Sequence, residues 1–427
     1  MTPFSTDWLL PYQQRINADP EMAVVGRWFT TAFWVTAGSR RTILRFERGT
    51  LHSFIEAPRL DDRAEFGFVA SEDVWARFLS PRPQPLYHDF FAMLMRVPAF
   101  VLEGDSLVAM QHARALHRAM NLMRAPDGGA AAAPRVKAGT QRDGDAPVTF
   151  EPITGRYLHV SVEGVMHRVF VEEAGTGTPL LCLHTAGADS RQFRHLLNDA
   201  AITSRFRVIA FDLPYHGRSN PPDRWWLSRY QLTTAQYVAY IRAVWQALGL
   251  ERPVVIGCSM GGAIVLKLAA DFAHELRGII GLESAAYAPG RYNDFLHHPA
   301  IHGGELVASY TYGLCAPGSP DDAARENWWY YSQSGPGIYA GDVHFYSVDW
   351  DGREDVKRID GTTCKVSLLT GEYDYSCTPS MTRAVAEMIP NARLTIMDGM
   401  GHFPMIENYP VFRKYLLKEL ESMTGRG

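Results

Sequence analysis

The sequence predicts an α/β chain, a mostly parallel sheet covered by helices, preceded by a smaller α+β domain. Three observations carry this. After residue 157, short apolar runs alternate with helical patterns, as in a parallel sheet buried on both faces. The first 123 residues instead show alternating strand patterns and short amphipathic helices. Between them, residues 124–149 (RAPDGGAAAAPRVKAGTQRDGDAPVT) are nearly free of large apolar side chains. Such a stretch buries too little surface to offset its ordering entropy, so it reads as a flexible linker. With 427 residues, 46% of them hydrophobic, the chain has enough apolar surface for two cores.

In the N-terminal part, Leu44 and Phe46 alternate with Arg45 and Glu47, and Phe66 and Phe68 flank Gly67. Both patterns fit strands with one buried face. Ser71 can cap a helix that carries Val74, Trp75, Phe78 and Leu79 on one side, and Pro81, Pro83 and Pro85 stop it. AFVLEGD suits a strand and turn, and Met110, Ala113, Leu116, Met120 and Met123 mark a closing amphipathic helix. This order and the LEGD element resemble the sterol carrier protein type 2 domain over residues 1–123. The resemblance implies an apolar cavity for a lipid. Without it, the same side chains form an ordinary core, or a surface through which two copies of the chain could form a homo-oligomer.

The C-terminal part, 150–427, begins with a strand pair, YLHVSVEG and MHRVFVEEAG. Buried strands follow in PLLCLH, RVIAFD, PVVIGC, GIIGLES and KVSLLTG, with helical patterns such as 235–248 and 263–272 between them. In such sheets, ligands sit at the carboxyl ends of the strands. Every polar signature lies just after one of these strands.

The sharpest is Gly257-Cys258-Ser259-Met260-Gly261, followed by Gly262. It joins the apolar run Val254-Val255-Ile256 to a helix. A strand-to-helix turn this sharp needs small residues two before and two after the serine, and it lifts the Ser259 hydroxyl clear of the sheet. The helix start beneath favours developing negative charge. A serine needs a base. His402, in GMGHFPM after the run Leu394-Thr395-Ile396-Met397, sits on a loop that can reach back to that turn. The base needs an acid to fix its tautomer and stabilise the imidazolium. Asp374, in LLTGEYD, is the candidate, and Glu283, at the end of GIIGLES, is its rival.

Residues from about 157 onward resemble the α/β-hydrolase superfamily through LCLHTAGADS, FDLPYHGRS, GCSMGG, LLTGEYD and GMGHFPM, all in order. The resemblance implies Ser259, Asp374 and His402 as the catalytic triad. It implies an oxyanion hole made by the N–H of Met260 and a second N–H carried over to Ala186. Thr185 stands where the family more often has glycine, so its hydroxyl is a further candidate contact to substrate. His184, Asp212 and His216 read as residues that hold these turns. The stretch between Glu283 and Lys365 occupies the place of a cap, at about 285–355, and carries Trp328, Trp329 and Tyr331 as candidate pocket-lining residues.

The expected reaction is cleavage of a carboxylic ester or lactone of a hydrophobic or aromatic small molecule through an acyl-enzyme. Thioesters, amides and carbon–carbon bonds beside a ketone are alternatives, because the same triad serves them. Epoxide and haloalkane hydrolysis by this fold use an aspartate nucleophile, against which Ser259 argues. An alternative of another class is a lipid-binding or carrier protein with a non-catalytic hydrolase-like domain. No metal and no organic cofactor is expected. A formal net charge of −4 gives no pull toward nucleic acid. No apolar run is long enough to span a membrane. Five scattered cysteines and a start without a secretory pattern suggest a cytoplasmic protein.

Overall fold

The computed structural model describes residues 2–124 and 149–424. All of the expected linker except its two end residues lies outside that range. Among the described residues, no helix is long and apolar enough to cross a membrane. Two compact units emerge. One is Met1–Ala146 together with His298–Gly313, and the other is Pro147–His297 with Leu314–Gly427.

The first unit holds a five-stranded sheet of β1 (Thr31–Ala37), β2 (Arg40–Glu47), β3 (Thr50–Glu56), β4 (Phe66–Ala70) and β5 (Val101–Gly104), in the order β3-β2-β1-β4-β5. Phe33, Phe46, Phe66 and Phe68 project from one face and pack ring on ring. Ser71 caps the helix Glu72–Phe78 through the Val74 N–H at 3.3 Å. The closing helix is broken in two, Ser106–Gln111 and Ala113–Asn121, because His112 leaves helical geometry at φ −104°, ψ 19°. Asp105 caps the first piece through the Leu107 and Val108 N–H groups.

The helix Gly303–Gly313 lies inside the expected cap interval yet completes this first unit. Its Tyr310 ring meets Phe91 edge-on at 5.5 Å, and Arg114 donates to both Glu305 oxygens at 3.1 Å. Gly313 lies so close to Asp89 that a Cβ there would meet Asp89 Cγ at 2.5 Å. Asp89 pairs with His117 Nε2 at 2.5 Å, both buried. Burial alone would raise the Asp89 carboxyl, but His117 beside it holds it below the ordinary value.

The second unit is built on eight strands: β6 (Thr154–Val162), β7 (Val165–Ala174), β8 (Thr178–Leu183), β9 (Phe206–Phe211), β10 (Val254–Cys258), β11 (Gly278–Leu282), β12 (Lys365–Gly371) and β13 (Arg393–Met397). Their order is β13-β12-β11-β10-β8-β9-β7-β6. β7 pairs antiparallel with both β6 and β9, and the other neighbours are parallel. β10 and β11 are buried at every residue, as helices on both faces require. Each fully buried Val, Leu or Ile there contributes roughly 1.5–3 kcal/mol. Connections leave β8 and β10 in opposite directions, and such a switch point leaves a crevice at the carboxyl ends.

At the sequence level, a chain starting near residue 150 is expected to fold alone. The packing of Gly303–Gly313 predicts otherwise. Leu306, Val307, Ala308 and Thr311 are buried, and truncation removes the helices they pack on. We expect such a fragment to aggregate or to bind a hydrophobic dye. A monomeric fragment with wild-type thermal stability would refute this.

Candidate active site

The register of the sheet decides which loops become neighbours. Ile256 and Gly257 of β10 lie beside Cys182 and Leu183 of β8, so the turn at Ser259 and the loop at His184-Thr185-Ala186 leave the sheet side by side. On the other flank, Cys258 lies beside Leu282 of β11, Leu369 of β11's neighbour β12 beside Leu282, and Gly371 of β12 beside Met397 of β13. Ser259, Glu283, Asp374 and His402 therefore follow four successive parallel strands.

Ser259 adopts φ 56°, ψ −112°, a region costly for a residue with a Cβ, by about 1–3 kcal/mol. The turn closes only because its flanks are glycine. A Cβ on Gly257 would lie 2.3 Å from the Gly261 oxygen, one on Gly261 2.4 Å from the Leu183 oxygen, and one on Gly262 2.2 Å from the Leu282 oxygen. The Ser259 N–H donates to the Leu282 oxygen at 3.0 Å. Met260 then opens the helix Met260–Phe272.

Asp374 accepts from His402 Nδ1 at 2.7 Å, and both side chains are buried. The other Asp374 oxygen takes the N–H groups of Ser376 at 2.7 Å and Cys377 at 3.1 Å, which fixes the carboxylate. His402 is anchored through its backbone. Its N–H donates to the Leu314 oxygen at 3.0 Å, and its carbonyl accepts from the Cys258 thiol at 3.2 Å. That last contact sets the histidine loop against the residue just before Ser259. No hydrogen bond joins Ser259 Oγ to His402 in this structure. Contacts of this kind often tighten only when substrate is bound.

Glu283 also sits at positive φ, 51°, fully buried. Its carboxyl takes the Thr370 hydroxyl at 2.8 Å and the Gly371 N–H at 3.0 Å. Burial, and then the adjacent Asp374, push it well above the ordinary carboxylate range, so it stays neutral. It thus serves as a neutral neighbour of Asp374, and Asp374 is the acid that touches the histidine. Glu283, Asp374 and His402 each offer one ligand atom within 4.8 Å of the others. The oxygens of Asp374 are already engaged by His402, Ser376 and Cys377, an arrangement that orients the histidine more than a ligand set.

The loop after β8 is held at Thr185. Its N–H and hydroxyl both donate to Gln192 Oε1, at 3.1 and 3.0 Å, and its hydroxyl also meets the Tyr331 hydroxyl. Gln192 in turn donates to Asn327 in the helix Asp321–Ser332, inside the expected cap interval. Among the described residues, the N–H groups of Ala186 and Met260 have no hydrogen-bond acceptor, though both residues are buried. His184 donates from Nδ1 to the Thr185 oxygen and accepts the Leu213 N–H at Nε2. Burial, with His216 nearby, lowers it to about 4, so it stays neutral and holds the loop. Asp212 accepts from the Ser190 and Arg218 N–H groups.

The helix Asp321–Ser332 sorts the cap aromatics by its own period. Asn327, Tyr330 and Tyr331 face inward, Trp328 is half-buried, and Trp329 is 54% exposed, on the solvent side. Three supporting residues are missed at the sequence level: Gln192, Glu407 and Asp342. Glu407 accepts from the Gly401 and Ala316 N–H groups and so braces the histidine loop, and burial raises it to about 7. No motif flags these side chains, because their role is fixed by which backbone groups they meet.

A mixed sheet whose parallel strands end in a strained serine turn, a buried acid and a histidine defines the α/β-hydrolase class. Residues 178–409 match the model of the alpha/beta hydrolase fold, and the chain belongs to that family. It is similar to the proline iminopeptidase of Lactobacillus delbrueckii subsp. lactis, 25% identical over 295 residues that cover 62% of this chain and 97% of that protein. Among solved structures it is similar to a thermophilic esterase from Thermogutta terrifontis, with TM-score 0.56, 19% identity, and 63% and 99% of the two chains covered. It is also similar to the enol-lactonase from Burkholderia xenovorans LB400, with TM-score 0.53, 21% identity, and 62% and 99% covered. At these identities the structures speak to fold alone.

The two carboxylates make opposite predictions. Asp374→Asn should keep the fold and lower kcat about 10³–10⁴-fold, because the histidine loses its tautomer and counter-charge. Glu283→Gln, which replaces a neutral group by a neutral one, should stay within about tenfold of wild type. Steady-state kinetics beside circular dichroism would read both, and a reversed order of severity would make Glu283 the acid.

Proposed function

We propose that the protein is a serine hydrolase of carboxylic esters or lactones with hydrophobic or aromatic groups. The observation that carries this reading is the 2.7 Å bond between His402 Nδ1 and buried Asp374, set at the strand ends beside the strained Ser259 turn. A histidine so held presents its other nitrogen as a base.

In this reading Ser259 Oγ attacks the carbonyl carbon while His402 takes its proton, and Asp374 stabilises the imidazolium. The oxygen of the tetrahedral intermediate rests on the N–H groups of Met260 and Ala186, which have no other acceptor among the described residues. His402 then gives its proton to the departing alcohol. Water, deprotonated by His402, releases the acid and restores the serine. In this reading Tyr331, buried against Thr185, is a candidate substrate-lining residue. Trp329, exposed, is not assigned to it.

Because a relative is a proline iminopeptidase, a prolyl amide belongs beside the esters in any test. A panel of p-nitrophenyl esters from acetate to long-chain and aromatic acids, with an aryl lactone and proline p-nitroanilide, separates these. We expect turnover of one or more esters or lactones by wild type and a loss of at least about 10³-fold in Ser259→Ala. Turnover retained in that variant, or confined to the prolyl amide, would refute the ester reading.

A further inference from the structure

Asp342 lies in the cap helix Ile338–His344, fully buried, and no motif draws attention to it. Three donors from three other segments converge on its carboxylate. The Gly187 N–H and His216 Nε2 both reach Oδ2 at 2.7 Å, and the Tyr230 hydroxyl reaches Oδ1 at 2.7 Å. His216 Nδ1 faces the Pro214 carbonyl at 3.0 Å. Both partners of that ring are acceptors, so both ring nitrogens donate and the imidazole carries a positive charge. A buried carboxylate and a buried imidazolium offset one another, where either alone would be strongly destabilising. The upward displacement of His216, which Asp342 produces against the effect of burial, agrees with this.

The consequence falls on the loop that carries Ala186. Thr185, before it, is fixed by Gln192. Gly187, after it, is fixed by Asp342, at φ 70°. The fit is close: a Cβ on Gly187 would lie 2.8 Å from the ring of Tyr339 in the same cap helix, and one on Gly341 2.2 Å from the Tyr230 ring. Apolar packing alone would hold the cap without specifying its register. A charged, fully bonded hub allows one register, since a slip leaves three donors and a carboxylate unpaired in the interior.

We propose that Asp342 is a positioning residue: it ties the cap helix to the oxyanion loop through Gly187 and His216, and so sets the aim of the Ala186 N–H. This rests on the serine hydrolase reading above. A donor misplaced by about 1 Å can lower turnover about 10²-fold.

Asp342→Asn keeps the shape but removes the charge and leaves one oxygen for three donors. With the best ester of the panel, kcat should fall about 10–100-fold while KM changes less than about threefold. The inhibition constant of phenylboronic acid, whose serine adduct places an oxygen where the oxyanion sits, should weaken in proportion. His216→Asn, which removes the cation only, should shift both in the same direction by a smaller factor, and it is the variant to read if Asp342→Asn does not fold. If wild type turns over the ester through Ser259 and the variants lose only KM, or lose kcat with boronate affinity intact, the positioning role is overturned and the hydrolase reading stands. If folded wild type turns over no ester and is not inhibited by the boronate, the hydrolase reading fails first, and this inference with it.

Discussion

The rest of the second unit depends on one turn, the passage from β10 into the helix Met260–Phe272 at Ser259. A serine at φ 56° is strained by about 1–3 kcal/mol. It persists because the turn is wedged between two neighbouring strands, with Gly257, Gly261 and Gly262 allowing backbone oxygens to within 2.2–2.4 Å of where a Cβ would lie. That close approach brings three things to one place. It frees the Met260 N–H, sets the Cys258 thiol on the His402 carbonyl, and brings the loop after β8 alongside.

The two buried carboxyls behind the histidine show how environment divides labour between similar groups. Glu283 and Asp374 follow adjacent strands, and like charges so close cannot both ionise. Asp374 receives two backbone N–H bonds and the histidine. At Glu283, burial and then the neighbouring Asp374 keep the carboxyl neutral. The pair therefore presents one negative charge to His402. Convergent bonding recurs in the helix Ile338–His344, where the buried Asp342 carboxylate gathers His216, the Gly187 N–H and the Tyr230 hydroxyl.

Much of this was legible in the sequence, for a physical reason. The strands of the second unit are short, apolar and separated by helical periods, and Gly-x-Ser-x-Gly after an apolar run is a local steric requirement that local sequence can reveal. Asp374 and His402 could be placed because each follows an apolar strand directly. Gln192, Glu407 and Asp342 could not, since what makes them matter is contact with loops far away in the chain. The helix Gly303–Gly313 was hidden likewise: its apolar face says that it is covered, and nothing local says by which unit. The break at His112 does not show in the sequence, because the apolar period runs straight through it.

Covalent capture tests most directly whether Ser259 is an activated nucleophile. The intact protein would be treated with a fluorophosphonate and the adduct located by peptide mass spectrometry. One adduct per chain is expected, on the peptide that carries Ser259, with strongly slowed labelling when His402 is replaced by alanine. A folded protein that remains unlabelled, or one labelled at another residue, would contradict it.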